Sequence, residues 1–368
     1  MRSGGSPRAT STAERPPGRR GVIERWATFL SVGDATPRLT LFEGDTPLLP
    51  APALAKWVGV RELFLKVEGL NPTGSFKDRG MVVAVAKAVE EGADTVLCAS
   101  TGNTSASAAA YAARAGMRAV VLIPGGNVAI GKIAQTVVYG ARIIALRDNF
   151  DVALDIAREL AGRYPAALVN SVNPQRIDGQ ATSAYEICEA LGDAPDVVAL
   201  PVGNGGNITA YWLGFRRYHD AGRSRALPRI VGVQAAGAAP FVAGHPIARP
   251  ETAASAIRIG RPATWEPALA AARESGGHIR ATPDTSIFEA YHEIARREGC
   301  YCEPASAAAA AGLRAAVLDG SIPQHSRCVC VLTGNGLKDP DHAVPPDFRV
   351  QELPTDASAI ARALGWEG

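Results

Sequence analysis

The sequence predicts an α/β protein with mainly parallel sheets. Three observations carry this: short β-branched apolar runs recur along the chain, Ala-rich helical stretches separate them, and Gly-, Ser-, Thr- and Asn-rich turns directly follow several of the runs. Strands are expected at 63–67, 95–99, 119–123, 142–146, 167–170, 197–202, 230–234 and 328–332. Continuous apolar strands of this kind are buried on both faces, as in sheets covered by crossover helices. Helices are expected at 81–91, 105–115, 182–190, 208–218, 287–298 and 305–318. The strand–helix alternation is the signature of βαβ units.

With 368 residues, 47% of them hydrophobic and 20% charged, the chain can bury a sizeable core. Its 38 basic and 36 acidic side chains are interspersed and leave a net charge of +2, which provides no field for nucleic acid or an anionic membrane. No apolar run reaches the roughly 18 residues of a membrane span, and no signal-like apolar stretch follows the N-terminal arginines. A cytoplasmic enzyme of small molecules is the expectation. Residues 1–20 are rich in Gly, Ser, Pro and Arg without apolar periodicity, and are expected to be a disordered tail.

The six cysteines form no disulfide framework, and the pairs Cys300/Cys302 and Cys328/Cys330 are closer in sequence than structural zinc ligands usually are. Cys-Val-Cys-Val-Leu reads as a buried strand, so packing is the expected role. The six histidines form no His-Glu-x-x-His pair, and no metal site is expected.

Ligands of open α/β sheets bind beyond the C-terminal strand ends, and four polar segments fall there. In Asn71-Pro72-Thr73-Gly74-Ser75-Phe76-Lys77-Asp78-Arg79-Gly80, cap and turn residues place Lys77 at a helix N-terminus. The positive end of the helix dipole should depress its pKa and favour a neutral, nucleophilic amine. The second segment, Gly203-Asn204-Gly205-Gly206-Asn207, follows one strand and opens a helix. Three glycines allow close backbone approach to an anion, while the spacing fits neither a Walker loop nor a dinucleotide fingerprint, so it is read as a phosphate loop. The third, Ser100-Thr101-Gly102-Asn103-Thr104, offers hydroxyls, an amide and helix N–H groups to a carboxylate. The fourth is Thr333-Gly334-Asn335-Gly336, a weak signal by itself.

Taken in order, Ser-Phe-Lys-Asp-Arg-Gly, Ser-Thr-Gly-Asn-Thr, Gly-Asn-Gly-Gly-Asn, Cys302-Glu303-Pro304-Ala305-Ser306 and Leu332-Thr333-Gly334 resemble the fold-type II pyridoxal-phosphate (PLP) enzymes. Asn170-Ser171-Val172-Asn173-Pro174-Gln175-Arg176-Ile177-Asp178-Gly179-Gln180 narrows the resemblance to the threonine synthases, together with Glu43-Gly44-Asp45-Thr46-Pro47-Leu48 and Ala-Ser-Ala-Ile-Arg-Ile-Gly at 254–260. The likeness runs from about Gly21 to about His342.

The resemblance implies a tryptophan synthase β-like fold with two parallel-sheet domains and the active site between them. Residues 21–70 and 179–368 would form the larger domain with the phosphate loop, and 71–178 a smaller, mobile one. Lys77 would carry the cofactor as a Schiff base. Gly203, Asn204, Gly205, Gly206 and Asn207 would hold its phosphate, Asn103 its ring hydroxyl, and Thr333 would face its pyridine nitrogen. Ser100, Thr101 and Thr104 would contact a phosphorylated amino-acid substrate, and Asn170, Ser171 and Arg176 would grip its phosphate. The implied reaction converts O-phosphohomoserine and water to threonine and phosphate, in a homodimer.

Two departures bear on the substrate: Ala181 stands where relatives often carry lysine, and Gln175 where an aromatic is common. A paralogue using another leaving group, a relative acting on serine, threonine or phosphoserine, and a non-catalytic phospholigand binder are the alternatives. From the segment alone, Arg176 could instead pair with Asp178.

Overall fold

The computed structural model describes residues 20–125, 130–148, 150–344 and 347–366, so the expected tail lies outside the described residues except for Arg20. The strands are β1 (Leu48–Pro50), β2 (Glu62–Val67), β3 (Thr95–Ala99), β4 (Arg118–Pro124), β5 (Arg142–Leu146), β6 (Ala166–Leu168), β7 (Val197–Pro201), β8 (Arg229–Ala235), β9 (His278–Thr282) and β10 (Arg327–Leu332). The helices are α1 (Val22–Trp26), α2 (Pro52–Val58), α3 (Lys77–Glu90), α4 (Asn103–Ala115), α5 (Ile130–Val138), α6 (Phe150–Arg163), α7 (Pro174–Leu191), α8 (Gly206–Asp220), α9 (Pro240–Ala243), α10 (Trp265–Glu274), α11 (Asp284–Glu298), α12 (Pro304–Leu318) and α13 (Ala357–Ala363).

Two sheets result. The larger runs β1-β2-β10-β7-β8-β9, parallel except for β1, which pairs antiparallel with β2. The smaller, β5-β4-β3-β6, is entirely parallel. Its strands all come from residues 95–168, and those of the larger sheet from the flanking segments. Central β3 and β7 are buried at every position, as their unbroken apolar runs require. β5 departs from the expectation: it is an edge strand of the smaller sheet, and Arg142, Ile144 and Ala145 are exposed.

Helices α3 and α7 cross with their backbones nearly touching. A Cβ on Gly80 would lie 2.4 Å from the Arg176 carbonyl oxygen, and one on Gly179 would lie 2.1 Å from that of Arg79. Only glycine permits this crossing, which places the start of α3, with Lys77, beside Arg176 on α7. A buried charge network holds it. Arg79 reaches Glu68 at 2.7 Å and Glu186 at 2.6 Å, and Lys66 reaches Glu186 at 2.7 Å. Burial works to raise the Glu186 carboxyl, but Arg79 and Lys66 overcome it and hold the group well below the usual carboxylate range. Two cations against two anions leave the network neutral, which is what makes such charges tolerable inside a core.

The cysteines fit the packing role: Cys328 and Cys330 are fully buried and unpaired.

Candidate active site

A cavity of about 1350 Å³ lies at the C-terminal ends of the strands of both sheets. Ala99 and Pro124, the last residues of β3 and β4, face Pro201 at the end of β7 and Thr333 just beyond β10. This is where βαβ geometry directs free helix N-termini, and those of α3, α4 and α8 all open onto it.

Lys77 is the first residue of α3 and is half-buried. Its amine sits 4.0 Å from the centroid of the Phe76 ring. Burial, then the neighbouring Arg176 cation, lowers its pKa to about 7, opposed by Glu303 and Cys98. Helix placement suggested the direction of that shift; desolvation and Arg176 are the causes that lower it. The segment before Lys77 is fastened to the turn after β10. Phe76 N donates to Thr333 O at 3.0 Å, Asn335 N to Gly74 O at 2.9 Å, and Ser75 and Gly334 form an isolated antiparallel bridge. Asp78 secures the other side by accepting from Thr73 N at 2.7 Å, Thr73 Oγ1 at 2.6 Å and, on α4, Ser107 Oγ at 2.6 Å. Burial still pushes the Asp78 carboxyl up to about 6.

The loop 203–207 lines the cavity ahead of α8, with Gly205 as the N-cap at φ 86°. A Cβ there would meet Thr264 O at 2.6 Å, so the left-handed turn and close packing both demand glycine. Gly206 differs: a Cβ would approach nothing nearer than Ile177 Cδ1 at 3.4 Å, with Ser171 and Thr264 at 3.9 Å. Its missing side chain leaves a hollow beside Ser171. The first-turn amides of α8 have no intrahelical acceptor, and both amide atoms of Asn207 are buried without a partner. Asn204 is tied to the chain instead, its carbonyl accepting from Thr264 N at 3.0 Å. A glycine hollow, free helix amides and an unpartnered Asn207 suit the phosphate of PLP, and Lys77 stands in the same cavity.

Of the residues singled out in the sequence, Ser100, Thr101, Asn103, Thr104, Asn170, Ser171 and Thr333 line the cavity together with Lys77 and the loop. Two of the residues expected to grip a phosphate, Asn170 and Arg176, are held by other groups of the chain. Asn170 has both amide atoms engaged by Ala99, accepting from its N at 2.9 Å and donating to its O at 2.8 Å, so it clamps the ends of β3 and β6. Arg176 is completely buried and does not line the cavity. Its Nη1 donates to Val169 O at 3.1 Å, while Nε and Nη2 have no partner. The alternative pairing with Asp178 is also not formed, because Asp178 accepts from Arg217 at 2.9 Å and from Ser31 at 2.8 Å. Burial lowers the Arg176 pKa to about 10, which still leaves a cation.

Ala181 does not reach the cavity. It is fully buried in the core with Tyr185 and Ile187, so the side chain at that position is a matter of helix packing.

Residues 39–334 match the family model for "Pyridoxal-phosphate dependent enzyme". The chain is 56% identical over 351 residues to the threonine synthase of Synechocystis, covering 94% of this chain and 91% of that protein. It is 46% identical over 351 residues to that of Methanocaldococcus jannaschii, at 93% and 87% coverage. The chain belongs to the threonine synthase family of PLP-dependent enzymes. Maize serine racemase shares the fold at a TM-score of 0.70 and 20% identity, covering 94% of this chain and 95% of that one.

For a threonine synthase family member, two residues of the site were missed by sequence reasoning, one lining the cavity and one buried behind it. Glu303, noted only as part of a matching motif, lines the cavity at 3% exposure and accepts from Asn103 Nδ2 at 3.1 Å. Ser306 lies 2.8 Å from Thr333 Oγ1 and accepts from Gly334 N, which orients that hydroxyl. In the sequence, Glu303 reads as the cap before an Ala-rich helix, and nothing there brings it to Asn103.

Proposed function

We propose that this chain catalyses threonine synthesis, converting O-phosphohomoserine and water into threonine and phosphate with PLP held on Lys77. The observation that carries the reading is the place of Lys77, in one cavity with the 203–207 loop and within the field of the partly unsatisfied Arg176 guanidinium.

Gly203, Gly205, Gly206 and Asn207 would hold the cofactor phosphate through backbone N–H groups, with Asn204 bracing the turn. Asn103 would meet the ring hydroxyl. Thr333, oriented by Ser306, would face the pyridine nitrogen, where a hydroxyl does not keep that nitrogen protonated as an aspartate would. Bound there, PLP supplies the electron sink for charge developing at the substrate α-carbon. Ser100, Thr101 and Thr104 take the substrate carboxylate at the N-terminus of α4. Ser171 takes its phosphate from the cavity side and the buried Arg176 cation supplies positive charge from behind the wall, with Asn170 holding the strand ends in register.

Lys77 Nζ, lowered to about 7 and so available in part as the neutral amine at neutral pH, would take the α-proton and then a β-proton of the substrate. Phosphate would leave from the γ-carbon, one proton would return there, hydroxide from water would add at the β-carbon, and the Lys77 amine would give a proton back to the α-carbon before threonine is released. We further propose that residues 71–178 move as the smaller domain to exclude water, and that the protein works as a cytoplasmic homodimer.

The test follows phosphate and threonine together in purified, PLP-loaded protein given O-phosphohomoserine. Equal amounts of both support the reading. Dehydration of serine or threonine in preference to turnover of the phosphorylated substrate would replace it.

A further inference from the structure

Glu303 is a carboxylate inside the cavity wall, 3% exposed, at the residue that opens α12. Its place is built. A Cβ on Gly334 would sit 2.5 Å from its carboxyl carbon, so the glycine after Thr333 makes room for it. Its backbone N donates to Gly334 O at 3.0 Å, and its carboxylate accepts from Asn103 Nδ2 at 3.1 Å across a separation of 200 residues. It is one of two charges acting in opposite senses on Lys77: Arg176 on α7 drives the amine toward its neutral form, and Glu303 on α12 toward its protonated one. Buried Cys98 on β3 is the other group felt at Lys77, and Lys338 and Asp339 from the turn after β10 bear on Glu303. Burial raises the Glu303 carboxyl and lowers the Lys77 amine, so their proton affinities converge from opposite sides.

We propose that Glu303 is a positioning residue for the reaction, fixing the Asn103 amide toward the cofactor ring and balancing the charge of Arg176 at the Lys77 nitrogen. The proposal rests on the functional reading above for the identity of the ring, while its electrostatic half concerns only this chain. Two variants separate the halves. Glu303→Gln keeps an acceptor for Asn103 and removes the charge; Glu303→Ala removes both.

In apoprotein, the pH dependence of Lys77 acylation by an amine-selective reagent, read by peptide mass spectrometry, reports the amine directly. Glu303→Gln should move its midpoint down by about half a unit to one unit, and Arg176→Met should move it up. In PLP-loaded protein, Glu303→Gln should bind cofactor about as well as wild type, and the pH midpoint of its absorbance should shift in the same direction. Glu303→Ala and Asn103→Ala should each weaken PLP binding by on the order of tenfold, and the double variant no further, because they remove one shared contact. An acylation midpoint unmoved in folded Glu303→Gln, or independent losses in the double variant, would overturn the proposal. Failure of every variant and the wild type to take up PLP would instead defeat the functional reading, and the apoprotein acylation profile would still decide the charge.

Discussion

Arg176 and Lys77 stand at the glycine crossing of α3 and α7, where the buried guanidinium lowers the pKa of the Lys77 amine. Neither has a carboxylate within ion-pairing distance among the described residues. A buried cation with Nε and Nη2 unsatisfied, beside an amine, forms a site prepared for an anion at a cost in stability.

Replacement of Arg176 should therefore separate stability from activity. Arg176→Met removes an unsatisfied buried cation, and an unsatisfied group of this kind costs about 1–3 kcal/mol. We predict an apoprotein melting temperature at or above wild type, with kcat/KM for O-phosphohomoserine reduced at least on the order of a hundredfold. Arg176→Lys, which keeps charge but loses the planar fork, should lose about tenfold with unchanged PLP content. Calorimetry and steady-state kinetics read both.

The glycine loop contains a variant that tests anion binding without a packing clash. Gly206→Ala places a methyl no closer than 3.4 Å to any protein atom, at a position without positive φ, yet fills the hollow beside Ser171. Thermal stability should stay within about 0.5 kcal/mol, while the Kd for PLP rises by on the order of tenfold or more. Gly205→Ala is a poorer probe, since its Cβ would strike Thr264 O at 2.6 Å and disturb folding as well.

The pH dependence of cofactor capture follows from the amine. Only neutral Lys77 attacks the PLP aldehyde, and its pKa is lowered from the ordinary 10.5 to about 7. Capture by apoprotein should rise with pH and level off just above 7, rather than climbing toward 10.5. The same shift predicts its sign in stability. Between those two values the unfolded chain holds a proton that the folded one does not, so this contribution raises stability with pH across that window and is constant below it. Stopped-flow absorbance and pH-dependent melting of wild type against Lys77→Met check the two statements.

Much of this was legible along the chain. The interior strands β3, β7 and β10 were visible because burial on both faces leaves an unbroken apolar run. The two edge strands of the larger sheet were not: β1 is three residues ending in Pro50, and β9 alternates polar with apolar groups because its residues are only partly covered. Helix α6 carries a readable spacing in Ala153, Leu154, Ala157 and Leu160, and the expectation did not extend to it. Lys77 and the 203–207 loop were legible because each chemistry is written in contiguous residues. Glu303 was not, since its partner is 200 residues away. The burial of Arg176, with its spare N–H groups held behind the cavity wall, depends on a helix crossing that no local pattern encodes.

The central claim is that Lys77 is the residue that carries the cofactor. Borohydride reduction of PLP-loaded protein followed by peptide mapping tests it most directly. The account predicts a stable pyridoxyl adduct on the peptide containing Ser75-Phe76-Lys77, absent from Lys77→Ala. An adduct on Lys66, Lys338 or any other lysine in the wild type, or none in protein saturated with PLP, would contradict it.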